Sequence, residues 1–410
     1  MKKNKKIKVS DVFTPGGFPT ITYTPRTSID LEAQIEEAKE NLGKIVVVSG
    51  MTKLGKTVLV DKVFPSSENI WINGGTIDTE LSFWEELAEN ADIYNMYSIS
   101  GTDSLGASVS GQLGMALVKG VAGINGESTL TDTMGREVSL KTAGVNYLKS
   151  NDSAVVVDDY HYIPKQVQKK IVRSLKSLIM HGLPVVFIAI PNRKNDVIQS
   201  EREMTSRIEM VEMPIWQVNE LCQIAEKGFA ALNVVVDKRI IFDMAKEAYG
   251  SPFLMQEFCK RLCKVEGIRE SLDTPKYIYD FDLSPVFASV ADNSGRDMFE
   301  KLKRGPRQRS DRKPRVMKDG RTVDIYGLIM ETFKVLEPGI NSITYEEFRG
   351  KLKEIIDDPP QKHEVTRVLD KIASISYTDT SSSPVIDWDK DNELITVTDP
   401  FFCFYLKWAD

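Results

Sequence analysis

Gly50-Met51-Thr52-Lys53-Leu54-Gly55-Lys56-Thr57 follows the apolar run KIVVV at 44–48 and precedes a helix-compatible stretch, VLVDKVF at 58–64. The spacing is GxxxxGK[ST] without deviation. Two glycines let the backbone curl so that successive N–H groups face phosphate oxygens. The helix that starts there adds its positive end. In this chemistry Lys56 reaches the β- and γ-phosphates and the Thr57 hydroxyl ligates Mg²⁺. Gly50, Thr52, Lys53, Leu54, Gly55, Lys56, Thr57 and Val58 are therefore the candidate nucleotide-binding residues. With ordinary glycine and lysine usage, a chance match arises in roughly one chain in a hundred of this length. The buried strand before the match and the helical run after it make a mere glycine turn the poorer reading.

A second apolar strand, AVVV at 154–157, ends in Asp158-Asp159. Asp158 would hold Mg²⁺ through water, and Asp159 would polarise the attacking water. The plain alternative is that Asp159 only caps the next helix. A third run, VVFIAI at 185–190, ends in Pro191-Asn192-Arg193. A polar residue at that tip sits near a γ-phosphate, so Asn192 and Arg193 are candidate sensors, with a solvated loop as the alternative. Between these runs lie helical stretches at 80–90, 139–149 and from about 165. Strands alternating with helices imply a parallel sheet covered on both faces, an α/β fold.

The chain has 410 residues, 41% apolar and 27% charged, with net charge −6. Those values exclude a disordered chain, a collagen and a disulfide mini-protein, and they fit two to four domains. Four cysteines without a CxxC pair, and three histidines, argue against structural zinc and for free thiols in a reducing compartment. The basic start has no apolar run after it, and no uncharged apolar stretch reaches 18 residues. The expected location is the cytoplasm, and membrane contact is not expected.

Outward from the core, residues 1–28 read as an irregular lead-in. The nucleotide-binding core is expected over 29–213, a helical lid over 214–290, a basic linker over 291–322 and a last domain over 323–410. The linker holds ten Lys/Arg between 301 and 321 against Asp311 and Asp319. Residues 217–265 read as helical throughout, broken at Gly250-Ser251-Pro252. The last domain reads as three helices followed by a β-hairpin, the order of a winged helix. Within the core, 101–126 contains seven glycines, and its apolar residues alternate with a parity that flips after Lys119. Period two on both sides of a turn predicts a hairpin inserted at 101–131. An assembly or partner contact is its expected role, set against a surface loop and a membrane strand.

At GMTKLGKT (50–57) and AVVVDDYHYIP (154–164) the chain resembles ATPases of the AAA+ and STAND kind, especially their archaeal-ATPase and origin-recognition-like branches. The resemblance covers about residues 20–265. It implies a P-loop NTPase sheet of the ASCE type, an α-helical lid, a C-terminal winged helix, and ATP with Mg²⁺ as cofactors. Arg207, in Ser206-Arg207-Ile208, is placed like an arginine finger, with Arg202 and Arg193 as substitutes. Pro252, in Gly250-Ser251-Pro252-Phe253, resembles the lid turn beside adenine. Arg26, in Tyr23-Thr24-Pro25-Arg26, sits where such families close the adenine pocket. Asp399-Pro400-Phe401-Phe402 and the following Phe404-Tyr405-Leu406-Lys407-Trp408 resemble the "DPF…FW" close of archaeal-type STAND ATPases.

Two departures bear on function. Asp159 stands where AAA+ motors usually have Glu, which favours slow switching, and the glycine-rich hairpin is foreign to the common core. The resemblance implies an ATP-hydrolysing switch that forms homo-oligomers and acts on a protein effector, as in defence or signalling. The alternative is a DNA-binding ATPase related to origin-recognition or transposition regulators, with Arg304, Arg307, Arg309 and Arg312 on the phosphates. A small-molecule kinase fits worse, because such kinases lack a helical lid followed by a winged helix.

Overall fold

The computed structural model describes residues 6–26, 29–40, 43–93, 96–101, 116–122, 129–190, 206–291, 295–307, 311–337, 339, 342–378 and 385–409. In chain order the first strands are β1 (Ile45–Ser49), β2 (Ile70–Asn73), β3 (Met96–Gly101), β4 (Ala116–Ala122), β5 (Thr129–Glu137), β6 (Val155–Asp158), β7 (Val185–Ala189) and β8 (Ile208–Glu212). Five of them form one parallel sheet in the order β2-β6-β7-β1-β8. β1 and β7 are buried at every position, as continuous β-branched runs require when both faces are covered.

Successive side chains leave a strand on opposite faces, and the core divides accordingly. Val47, Ile72, Val157 and Phe187 pack on one face with Phe83, Leu87, Ile171 and Leu175 from helices Glu80–Asn90 and Lys165–Met180. Val46, Val48, Val156 and Val186 pack on the other with Ile35, Leu59 and Val60 from helices Leu31–Glu40 and Lys56–Val63.

The glycine-rich insertion differs from its expected form. β3, β5 and β4 make an antiparallel sheet in that order, and β4 runs straight through Lys119 and Gly120, paired with Asp132 and Thr131. The parity flip after Lys119 therefore falls inside a strand. Backbone pairing does not need a fixed side-chain parity, and small-residue strands specify register weakly. Residues 102–115 and 123–128, which carry most of the alternation, lie outside the described residues.

The lid contains helices Val218–Ala231, Lys238–Glu247 and Pro252–Val265. The segment expected to be all helix is interrupted by β9 (Val234–Val236), which pairs in parallel with β10 (Lys276–Ile278). Three consecutive valines after Asn233, whose φ is 57°, favour extension, but the partner strand lies forty residues further on. The lead-in also has structure. Helix Val9–Val12 and Phe13 join the lid core, Phe13 meeting Phe229 edge-on at 5.2 Å between ring centres.

Helix Arg296–Arg304 follows, then the short pair β11 (Arg315–Val316) and β12 (Thr322–Val323). The basic run is therefore not a free linker: its first residues end a helix. Arg312 is drawn inward, donating to Asp324 at 2.5 Å, to the Arg304 carbonyl at 2.7 Å and to the Pro306 carbonyl, with its guanidinium 4.4 Å from the centre of the Tyr326 ring. Arg315 is buried and paired with Glu364 at 2.9 Å. Arg312 is thus spent inside the fold, which corrects its expected place on nucleic acid. Arg304 and Arg307 are exposed, and Arg309 lies outside the described residues.

The chain closes as a winged helix. Helices Ile325–Leu336, Tyr345–Ile355 and Lys362–Thr378 pack with β13 (Ser342–Thr344), β14 (Ile386–Asp389) and β15 (Leu394–Val397), ordered β13-β15-β14 and antiparallel. The last helix, Pro400–Trp408, belongs to two cores. Phe401 and Phe404 pack into the lid, while Phe402, Cys403, Tyr405 and Leu406 pack into the winged helix. Among the described residues, no helix is long and apolar enough to cross a membrane.

Candidate functional site

The loop from Gly50 to Gly55 joins β1 to helix Lys56–Val63. A Cβ on Gly50 would stand 2.8 Å from the Met213 carbonyl oxygen, so only glycine fits the close approach to the end of β8. Gly55 takes φ 91° as the N-cap and offers no side chain to the first turn. The helix therefore starts with N–H groups that no cap satisfies, which suits an anion.

Lys56 Nζ donates to the carbonyls of Gly50 at 2.9 Å and Met51 at 2.8 Å. Burial pushes its ammonium down to about 8, against the opposing pull of Asp158 and Asp159. The Thr57 hydroxyl donates to Asp158 Oδ2 at 2.8 Å, so the two oxygen groups expected to hold Mg²⁺ already meet. Register places Asp158 at the end of β6, opposite Asn73 of β2.

Asp159 sits just beyond the strand with φ 51°, a costly conformation for a non-glycine residue. Its N–H donates to Asp158 Oδ1 at 2.8 Å. Burial and the neighbouring Asp158 push its carboxyl up to about 6, with Lys56 pulling the other way. It makes no side-chain cap to the turn Tyr160–Tyr162, so helix capping does not account for it.

These groups line one end of a cavity of about 370 Å³ that runs on beneath residues 14–26 and helix Pro252–Val265. Thr52 and Thr14 line it too, and their hydroxyl oxygens are buried with no partner among the described residues. Orphaned polar atoms beside an uncapped helix start fit a polar ligand. Thr57 and Asp158 supply the hard oxygens that Mg²⁺ takes.

Other expected residues fall differently. Pro252 lines the cavity. Arg26 borders it, but its guanidinium is spent on Glu220 Oε1 and Oε2 at 3.1 and 3.0 Å and on the carbonyls of Pro214 and Ile215 at 2.6 and 3.0 Å. It also lies 5.0 Å from the centre of the Trp216 ring. Arg26 is therefore a strut between the lead-in and the lid. Arg207 lies in the turn just before β8, with Nη1 3.4 Å from the Gly43 carbonyl. β1 and β8 pair from Ile45↔Ile208 to Ser49↔Glu212. Arg207 thus stands at the start of the sheet and the phosphate loop leaves its end, roughly 16 Å of strand away. Asn192 and Arg193 lie outside the described residues.

Trp216 was not singled out in the sequence, and Lys53, expected on the nucleotide, makes contacts that were not foreseen. Trp216 Nε1 donates to the Leu54 carbonyl at 2.9 Å, tying the loop to the lid. The Lys53 side chain turns away from the cavity's acids. Its ammonium lies 3.6 Å from the centre of the Phe401 ring and 3.9 Å from Asp399 Oδ2, while its carbonyl accepts from the Ser251 hydroxyl at 3.3 Å. Asp399 caps the last helix through the N–H groups of Phe401 and Phe402. The only sequence signal for this contact was the likeness of Asp399-Pro400-Phe401 to a family ending.

No family model and no curated protein matches the chain. Solved structures do. A Walker-type ATPase of Pyrococcus abyssi superposes with TM-score 0.53 at 12% identity, over 94% of this chain and 99% of that one. The ORC2 protein of Aeropyrum pernix, solved in ADPNP and ADP complexes, gives TM-score 0.51 at 13% identity, over 98% of this chain and 96% of that one. Likeness at that identity speaks for the fold, and it spans nearly the whole length of each chain. The chain shares the fold of these two structures: a parallel sheet covered by helices, a helical lid and a C-terminal winged helix.

Proposed function

We propose that this protein is an ATP-binding, slowly hydrolysing switch whose nucleotide state sets the docking of the winged helix, and through it self-assembly and the action of a protein effector, in defence or signalling. The observation that carries this reading is Lys53. One residue of the phosphate loop touches the lid through its carbonyl and the last helix through its ammonium. A loop that reshapes around phosphates must move that contact.

Lys56, whose charge is poorly compensated in the buried loop, would exchange the Gly50 and Met51 carbonyls for β- and γ-phosphate oxygens. Thr57 and Asp158 would hold Mg²⁺, which neutralises phosphate charge when bound. Asp159 would position and polarise the attacking water from its strained place beyond β6. Asp is one methylene shorter than Glu, which suits slow turnover. Arg207 cannot reach its own phosphate loop, so an arginine finger there would serve a neighbouring copy. Asn192 and Arg193 are retained as γ-phosphate sensors on their position after β7.

The DNA-binding reading rests on Arg304 and Arg307, exposed at the end of helix Arg296–Arg304. In the winged helix Lys362 is paired with Glu393 at 2.6 Å and Asp370 with Lys390 at 3.0 Å, while Arg367 and Lys371 of the same helix are exposed.

The test is ATP hydrolysis and nucleotide-dependent assembly. Lys56→Ala should lose about 10²–10³ in hydrolysis, the range for removing one preorganised donor of transition-state charge, with weakened ATP binding. Parent-like hydrolysis by that variant would remove the phosphate-loop assignment. DNA-stimulated turnover at low salt, with no assembly on ATP, would put the second reading first.

A further inference from the structure

The lid grips the phosphate loop by two consecutive carbonyls. The Ser251 hydroxyl donates to the Lys53 carbonyl at 3.3 Å, while its oxygen accepts from the Leu254 N–H at 3.4 Å. The Trp216 indole N–H donates to the Leu54 carbonyl, the next along the chain, at 2.9 Å. The two donors belong to one unit, because the Trp216 backbone N–H donates to the Gly250 carbonyl at 3.3 Å. Arg26 steadies that unit through the Pro214 and Ile215 carbonyls and the Trp216 ring. In a trans peptide the C=O and the following N–H point in opposite directions. Holding the Lys53 and Leu54 carbonyls toward the lid therefore turns the Leu54 and Gly55 N–H groups away from those two donors. Neither N–H has an acceptor among the described residues. Lys53 and Gly55 both take positive φ, 61° and 91°, the kind of local turn that gathers successive N–H groups into an anion nest. For Lys53 that conformation is costly without outside support, and the Ser251 bond supplies some.

Resting on the nucleotide reading above, we infer that Trp216 and Ser251 are positioning residues for polyphosphate. They hold two loop carbonyls on the lid side, so the Leu54 and Gly55 N–H groups stay presented to phosphate oxygens before a ligand arrives. In this role neither side chain touches phosphate, and each acts through a peptide group of the loop. The gain is preorganisation, because a loop already held in its binding shape loses less freedom when the ligand binds. A lid segment that shifts away from the loop then loosens phosphate binding without any change at Lys56 or Thr57.

Calorimetric titration of the full chain with tripolyphosphate and with ATP, both with Mg²⁺, tests this, since tripolyphosphate carries no base or sugar. Trp216→Phe keeps a ring against Arg26 and removes the indole N–H. Ser251→Gly removes the hydroxyl, and glycine costs little at the N-cap of helix Pro252–Val265. Each should weaken tripolyphosphate about three- to tenfold, the worth of one hydrogen bond, and weaken ATP by the same factor. Melting without ligand shows that each variant is folded. A merely structural role would move Tm and leave the tripolyphosphate affinity of the folded variant equal to the parent's. That result removes the residue concerned from the inference, and in both variants it overturns the inference. Weaker ATP with unchanged tripolyphosphate overturns it too, because the side chain then acts on the rest of the nucleotide. If the parent binds tripolyphosphate in those cases, the phosphate-loop reading survives. A parent that binds neither tripolyphosphate nor ATP overturns both.

Discussion

The end of the five-stranded sheet and the winged helix hold their charges in opposite ways. In the winged helix and the residues leading into it, Arg312 faces Asp324, Arg315 faces Glu364, Lys362 faces Glu393 and Asp370 faces Lys390. At the sheet end, Lys56 has only loop carbonyls as hydrogen-bond partners among the described residues and is pushed down to about 8, while Asp159 is pushed up to about 6 by burial and Asp158. Paired charges complete a fold. Charges held in a cavity at the expense of their own ionised forms mark a candidate ligand site. The difference separates a structural basic segment from a functional one better than counting lysines and arginines does.

The largest expected effect tests whether the sheet-end charges act alone. If Arg207 serves a neighbouring copy, specific ATPase activity should rise with protein concentration, and Arg207→Ala should remove about 10³–10⁵ of the assembled rate. Activity that does not depend on concentration in the parent would discard the idea.

Next comes Asp159. Asp159→Asn keeps size and removes the charge, and it should lower turnover about 10²–10⁴-fold while sparing ATP binding. Single-turnover assays separate the two quantities. Equal turnover would leave Asp159 as a strained turn residue without a chemical role.

The paired side of the comparison is checked by Arg315→Ala. It should destabilise the winged helix by about 1–3 kcal/mol, discounted from a fully buried pair because Glu364 is partly exposed. Urea unfolding followed by the fluorescence of Trp388 would read this. Hydrolysis should be unchanged, and a loss of hydrolysis at constant stability would break the division drawn above.

The smallest effect belongs to the residue that joins the two regions. Lys53→Ala deletes a cation–π contact worth about 0.5–2 kcal/mol. It should raise protease sensitivity between the lid and the winged helix without nucleotide, and blunt the difference between ATP and ADP forms. Identical cleavage patterns in parent and variant would remove Lys53 as the coupling residue.

Much of the core was legible because its signals are local. Buried parallel strands need continuous apolar runs, and a phosphate loop needs glycines at fixed spacing, so β1, β6, β7 and the Gly50–Thr57 turn announce themselves. Helix Glu80–Asn90 and the helices of the winged helix follow from apolar periodicity. β9 was missed because three valines make a strand only when Lys276–Ile278 lies beside them. β13 was missed because three residues carry no period. The turn expected at Lys119 was misplaced because small residues leave register underdetermined.

The sequence by itself determined which residues form the glycine loop at the end of β1 and are proposed to meet phosphate, since the motif closes on itself within eight positions and its chemistry depends on local backbone curvature. It also determined a covered parallel sheet, a helical lid and a terminal winged helix, through hydrophobic period and order. Only the tertiary structure decided the fate of the remaining charges and polar groups. Arg26 became a strut to Glu220, Arg312 and Arg315 became internal partners of Asp324 and Glu364, Lys53 reached a helix some 350 residues away in the chain, and the Trp216 indole met the Leu54 carbonyl. The physical reason is that a charge or a polar group takes its role from whatever partner burial brings within about 3 Å, and such partners come from segments that no local pattern links.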